Sequence, residues 1–448
     1  MKRLFSICTA LCMIATIFVH AAEPTVPSNT YHSFVNPPKV GCPGTIITLN
    51  CGSAVNSGTL IAGQAASGVS SSVPYTGGDG GPYKDKSVSS TGVTGLTATL
   101  TAGSFANGNG SLIYNISGTP SGSGTASFAL SIGGKRCTLD FTVYAVASIS
   151  ALNCASASLN GTLYEAISVS GVSSAIPYTG GNGGVFSSQS VSSTGVTGLT
   201  ASLSAGKLDV GAGSLTYTIT GIAEGSGTAN FALTIGGQSC TLTRTVTASY
   251  PSGSVYCSGK PTTIVQVTSP TGKIWMDRNL GASRVATSGA DASAYGDLYQ
   301  WGRRADGHQC RNSGTTATLS SVDKPAHGNF ITGNNADWRS PKNDNLWQGV
   351  NGVNNPCPVG FRLPTNDEYN NERLTFISQN AAGAYASVLK LTVAGFRWPG
   401  TLNNVGSRGH YWSSTVSGNS ARCLSFTSNA AMYTDPRGVG FTVRCIKN

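Results

Sequence analysis

The sequence is short of charge, histidine and methionine. Only 10% of its 448 residues are charged, with five histidines and four methionines. No Cys-x-x-Cys pair occurs, so the spacing typical of zinc-binding cysteines is missing. Beyond the first 21 residues, no stretch approaches the ~18 apolar residues that a transmembrane helix needs. His308, His327 and His410 are scattered. No Ser/His/Asp or Cys/His arrangement suggests a nucleophilic centre. The expectation is a chain without metal, cofactor or nucleic-acid partner, and without a membrane span once its leader is removed.

That leader is the first feature present. Lys2 and Arg3 form a basic start, Leu4 to Val19 an apolar run, and "VHAA" a small-residue processing site. Residues 1–21 read as a signal peptide cut after Ala21, which places the mature protein outside the cell or on its surface. Cys8 and Cys12 fall inside the apolar run without a lipobox, and ten cysteines remain after cleavage. In an exported chain they are expected to form disulfides.

Residues 22–50 form a lead segment, and after it the sequence repeats. "SVSSTGVTGLTA" runs from Ser87 to Ala98 and returns unchanged from Ser190 to Ala201. "GSLIYNISG" at Gly110 answers to "GSLTYTITG" at Gly213, again 103 positions later. A unit of this length can bury its own core, so two tandem domains are expected, 51–148 and 149–250. Leu215, Tyr217 and Ile219 alternate with threonines, as do Phe231, Leu233 and Ile235 with their neighbours. This two-residue period between glycine-rich turns predicts antiparallel β-sandwiches of immunoglobulin-like type. Asp79 in "TGGDGG" reads as a solvated turn residue, because its counterpart is Asn182 and no carboxylates surround it.

The cysteines keep the period, and two pairings suit it. One closes each copy internally, Cys51 with Cys137 and Cys154 with Cys240. The other bridges the boundaries, Cys42–Cys51, Cys137–Cys154 and Cys240–Cys257. Extended chain would hold Cys137 and Cys154 roughly 50 Å apart. An internal bridge instead joins the first and last strands of a sandwich, and is preferred. The copies themselves suit a stalk, and resemble the Gly/Thr-rich tandem repeats of secreted Bacteroidetes proteins.

The composition changes near Tyr250. From Lys260 onward there are 19 of the 28 basic and 11 of the 18 acidic residues, a net +8. Trp301, Trp338, Trp347, Trp398 and Trp412 also lie there. Concentrated charge and aromatics mark this region, 257–448, as the place to look for binding. "GKIWMDRNLGAS", "AYGDLYQWGRRADG", "NPCPVGFRLPTNDEY", "HYWSST" and "GFTVRC" follow in order. Together they resemble the Fibrobacter succinogenes major paralogous domain. They also look like the C-terminal domain of Legionella collagen-like adhesins and, more distantly, the C-type lectin fold. The resemblance implies an α+β head on a mostly β chain, and matches Cys357 and Cys445 to the long-range disulfide of lectin-like folds. Cys310 and Cys423 are left to pair with each other or with Cys257 and Cys42.

Several motifs have plain structural readings. Thr365 and Glu368 form a capping box, so Asp367 and Glu368 belong to a helix start and are not an acid–base pair. Asp277 and Asp297 each have an arginine nearby in sequence and are expected in ion pairs. Trp412 is expected in the core. Neither the calcium loops of sugar-binding lectins nor the reactive cysteine pair of formylglycine-generating enzymes is present, so neither activity carries over.

The expected function is that of an adhesin-like surface protein whose stalk presents a head for an extracellular glycan or surface protein. The alternative is a non-catalytic structural or matrix component, with a polysaccharide-active enzyme behind it. The candidate site is the segment between the expected strands "KLTVAGFRW" and "HYWSST". It gathers Arg397, Trp398, Asn403, Asn404, Arg408, His410 and Tyr411, which supply hydrogen-bonding groups and rings for stacking.

Overall fold

The computed structural model describes residues 43–333 and 336–448. The leader, the lead segment up to residue 42 and Cys42 lie outside them. Of the described residues, strand accounts for 45% and helix for 6%. The chain divides into two compact units. One runs up to Ile149 and takes in Gly180–Phe186 and Gly206–Gly211. The other comprises Ser150–Thr179, Ser187–Ala205 and Ala212–Asn448.

Each copy of the repeat folds as two sheets. In the first copy, Thr48–Leu49, Val69–Asp79, Asn107–Gly118, Leu96–Leu100 and Lys86–Ser89 lie side by side. Opposite them run Leu60–Ile61, Lys135–Tyr144, Gly124–Ile132 and Thr91–Gly92. The period-two pattern turns alternate side chains inward. Val69, Val73, Tyr75, Leu112, Tyr114 and Ile116 thereby share one core with Phe128, Leu130 and Phe141. The second copy repeats both strand orders and buries Leu215, Tyr217, Ile219, Phe231, Leu233 and Ile235. Each copy is closed internally, with Cys51 bonded to Cys137 and Cys154 to Cys240. Asp79 differs from the solvated-turn reading. It ends the strand Val69–Asp79, and its carboxylate accepts hydrogen bonds from Thr45 N and Oγ1 and from Gly81 N.

In the second unit one core crosses the expected 250/257 boundary. It joins Ala166 and Tyr250 to Ile264, Met276, Trp301, Trp347 and Trp412. Glu165, itself buried, accepts from the backbone N–H groups of Ser249 and Tyr250 and from the Tyr256 hydroxyl. Ala166 accepts from the N–H of Ile264.

The C-terminal region contains three sheets of three or four strands, besides a two-stranded one made by Thr315–Thr316 and Phe330–Ile331. Gln266–Thr268, Ile274–Met276, Ile446–Lys447 and Phe361–Arg362 form one. Tyr299–Gln300, Gly440–Phe441, Phe396–Arg397 and Leu402–Asn403 form another. Gly409–Ser417, Ser420–Phe426 and Ala430–Pro436 form the third. The helix Asn366–Leu374 starts at the capping box, where Glu368 also binds Arg362 at 2.8 Å. Cys357 pairs with Cys445 and Cys257 with Cys310. Cys423 is a buried free thiol. Of the segment 390–398 expected as a strand, only Phe396–Arg397 is one.

The C-terminal motifs are largely internal wiring. Asn279 of "WMDRNLG" accepts two bonds from the buried Arg444 of "VRC" and donates to the carbonyls of Ala294 and Tyr295. The indoles of Trp301, Trp338, Trp347 and Trp412 each donate to a buried backbone carbonyl. These four and Trp275 are at most 1% exposed, whereas Trp398 is 42% exposed. The tryptophan enrichment that singled out this region is therefore mostly core packing. Four of its 19 basic residues, Arg303, Arg397, Arg437 and Arg444, are also buried. Asp277 pairs with Arg278 at 2.7 Å as expected. Asp297 does not form the expected ion pair with the arginines of its motif: it is buried, and burial lifts its carboxyl to about 7, with Arg311 pulling the other way. The space it occupies exists because residue 281 is glycine (φ +81°), where a Cβ would stand 2.2 Å from the carboxyl carbon.

Candidate functional site

A cavity of about 300 Å³ opens beside the segment that the sequence singled out. Four short pieces of backbone supply its walls. The hairpin made by Phe396–Arg397 and Leu402–Asn403 brings Phe396 and Trp398. The strand Gly409–Ser417 and the residue before it bring His410 and Arg408. Ala430–Pro436 contributes Tyr433 and Asp435, and Gly440–Phe441 contributes Phe441.

The seven candidate residues separate into three groups. Trp398, Arg408 and His410 line the cavity. Asn403 and Asn404 are not among its lining residues and instead hold the turns next to Trp398 and Arg408. The Asn403 amide donates to the carbonyls of Trp398 and Thr401. Asn404, at φ +50°, turns the chain so that its carbonyl accepts from Ser407 and Arg408 N–H groups. Arg397 and Tyr411 lie inside the fold. The Arg397 guanidinium donates to Cys310 O, Gly400 O, Ser313 O and Ser313 Oγ and sits 4.5 Å over the Phe330 ring. The Tyr411 hydroxyl donates to Thr392 O and accepts from Thr392 N and Asn279 Nδ2. Neither is free to meet a ligand.

His410 is the unusual member. It is 5% exposed and stacks on Phe441 with ring centroids 4.4 Å apart. Neither of its ring nitrogens has a hydrogen-bond partner. Burial, with Arg408 close by, pushes it down to about 3, so the ring is neutral near pH 7. Beside it are two residues that the sequence did not flag, Cys423 and Asp435. The Cys423 thiol donates to Asp435 Oδ2 at 3.0 Å. Burial first, and then Asp435, holds this thiol well above its usual range. One ligand-capable atom from each of His410, Cys423 and Asp435 lies within 4.8 Å of the others.

The strand register explains why they meet. Cys423 is opposite Trp412 on one neighbour and Tyr433 on the other. His410 and Asp435 are each two residues along from those partners. All three therefore project from the same face of the sheet. A sequence signal was available in the alternation of "ARCLSF" and "MYTDP", but only with the pairing in hand.

Among the described residues, no helix is long and apolar enough to cross a membrane. No family model matches the chain, and no curated protein matches it. Among solved structures, alignments link it to invasin, a bacterial integrin-binding protein, at 14% identity over 47% of this chain and 44% of that one, with a TM-score of 0.17. Domains 1–6 of the surface-layer protein SbsC align at 15% identity, covering 51% and 38%, with a TM-score of 0.16. An endo-fucoidan hydrolase of glycoside hydrolase family 107 aligns at 16% identity, covering 44% and 39%, with a TM-score of 0.14. The chain spans less than half the length of each, and at these scores the alignments assign neither fold nor function.

Proposed function

We propose that this is an exported surface protein of adhesin type, in which two immunoglobulin-like sandwiches precede a C-type-lectin-like head that binds an extracellular glycan. The observation that carries this reading is the cavity bounded by the exposed ring of Trp398, with Arg408 and Tyr433 on its walls. An exposed indole offers a face for stacking on a sugar ring, and arginine offers paired donors for hydroxyls or a carboxylate. The lining includes a single carboxylate, Asp435, whereas glycosidic hydrolysis ordinarily needs two facing each other. That supports recognition over cleavage.

The test is a glycan array probed with the mature protein. Trp398→Ala and Arg408→Ala are each expected to weaken binding at least about tenfold, roughly 1.4 kcal/mol. The melting temperature of Trp398→Ala should barely move, because the ring is 42% exposed. For an acidic glycan, affinity should fall with added salt, since exposed charges are screened over about 10 Å at 0.1 M. Unchanged binding in both variants would remove this cavity from the function.

A further inference from the structure

We infer that His410, Cys423 and Asp435 form a three-ligand site for a divalent transition-metal ion of the zinc class. The inference does not depend on a glycan being the cavity's ligand.

Three observations converge. The donor set is one imidazole nitrogen, one sulfur and one carboxylate oxygen, all within 4.8 Å of one another. Bond lengths of about 2.0–2.3 Å to a tetrahedral zinc ion place neighbouring ligand atoms about 3.3–3.8 Å apart. Small side-chain rotations close that difference, and Cys423 Sγ and Asp435 Oδ2 already stand 3.0 Å apart. Next, His410 is 5% exposed with both nitrogens unpartnered. A buried imidazole without a hydrogen bond is costly, and a metal ion is one partner that would relieve it. Finally, the other eight described cysteines are all in disulfides, and Cys423 alone keeps a thiol. An exported chain retains such a thiol most readily where it is shielded or ligated.

The chemistry selects the ion. Sulfur and imidazole favour zinc and its neighbours over calcium or magnesium, which take oxygen ligands. Binding breaks the Cys423 S–H bond, releases that proton to solvent and forms a metal–thiolate bond. His410 coordinates as the neutral ring and Asp435 as the carboxylate. His410 and Asp435 also line the cavity, so the fourth coordination position opens into it, the arrangement of zinc sites that exchange a ligand. The sequence hid the site because intervals of 13 and 12 residues match no metal motif. They are set by the pairing of three adjacent strands.

The test is titration of the chelator-treated mature protein with Co²⁺ alone, and then with Zn²⁺ as competitor. The expected result is one Co²⁺ per chain with thiolate-to-cobalt charge-transfer absorption, abolished by one equivalent of Zn²⁺. Cys423→Ala should lose that absorption. His410→Gln and Asp435→Asn should weaken binding by at least the ~10–100-fold that loss of even an outer-shell partner costs. Asp435 is only part-buried, so Asp435→Asn remains informative if Cys423→Ala does not fold. The inference is overturned if the wild type gives no charge-transfer band or if binding survives Cys423→Ala. It is equally overturned if Asp435→Asn binds as the wild type does, or if Cys423 is found in a disulfide with Cys42. A metal-loaded protein that fails every glycan would instead overturn the proposed function and leave this site standing.

Discussion

Phe141 in the first copy and Arg244 in the second hold the same place in the repeat, 103 residues apart, and both are buried. Phe141 meets Phe128 edge to face, with centroids 6.2 Å apart. Arg244 instead donates to the carbonyls of Ser173, Asn160 and Gly161 and to Ser174 Oγ. A second exchange accompanies the first. Where the first copy has Asn56, bonded to Ser71 and the carbonyl of Asp140, the second has Leu159. The polar partner of the conserved-in-place serine has thus moved from one strand to another. The strand order and the disulfide are kept while the content of the core changes. The two-sheet frame is thus specified by alternation, and a position within it accepts an aromatic ring or a guanidinium provided every donor is satisfied.

The strongest test of this equivalence removes the disulfides. Both close loops of the same 86-residue separation. In the chain-entropy model each contributes about 4.5 kcal/mol. Thermal unfolding of Cys51→Ala/Cys137→Ala and of Cys154→Ala/Cys240→Ala should show losses of similar size. A clear inequality would mean that the two frames are not interchangeable.

The next largest effect is at the exchanged pair. Phe141→Ala should cost about 3–5 kcal/mol through the cavity it leaves. Arg244→Ala should cost about 3 kcal/mol, because the buried Ser174 hydroxyl and three backbone carbonyls lose a charged donor. Arg244→Phe combined with Leu159→Asn rebuilds the first copy's arrangement and should fall within about 1.5 kcal/mol of the wild type. Denaturant unfolding of the mature protein reads all three. If Arg244→Ala costs under about 0.5 kcal/mol, its acceptors are solvated and the exchange carries no lesson about cores.

A pH dependence separates the C-terminal region from the copies. The Asp297 carboxyl sits at about 7 in the fold, against an ordinary value of 3.8. Between about pH 4 and 7 the folded chain keeps a proton that the unfolded chain has released. Stability should therefore fall as pH rises through this window and level off above it. Asp297→Asn should flatten that slope and raise the melting temperature at pH 8 relative to the wild type. A slope unchanged in the variant would assign the dependence to other groups.

The copies were legible because a strand with one buried face writes its period into consecutive residues, as Leu215, Tyr217 and Ile219 do. The C-terminal region was legible only in part. The capping box at Thr365 is local and could be read directly. The roles of Trp301, Trp338 and Trp347 could not, because an indole that donates to a distant carbonyl has the same letter as one that faces solvent. Proximity in sequence to Trp398 and Arg408 points to Arg397 and Tyr411 as site residues. Alternation along the backbone turns them to the opposite side, where the core takes up their polar groups. Cys423 and Asp435 are not legible as site residues, because their meeting with His410 depends on which strands pair, and no short window of sequence encodes that.

The internal disulfides also determine what happens when the chain is pulled. Tension arriving at Cys51 passes through sulfur to Cys137, whose Cα is 5.8 Å away, and bypasses the residues between them. The second copy carries the load in the same way from Cys154 to Cys240. Only the sixteen residues between Cys137 and Cys154 can be drawn out between the two bridges, roughly 50 Å of chain at full extension. A repeat of 103 residues without the bridges could yield about 350 Å. The same pair of cysteines that closes each fold thus leaves the tandem copies little chain to give up under load.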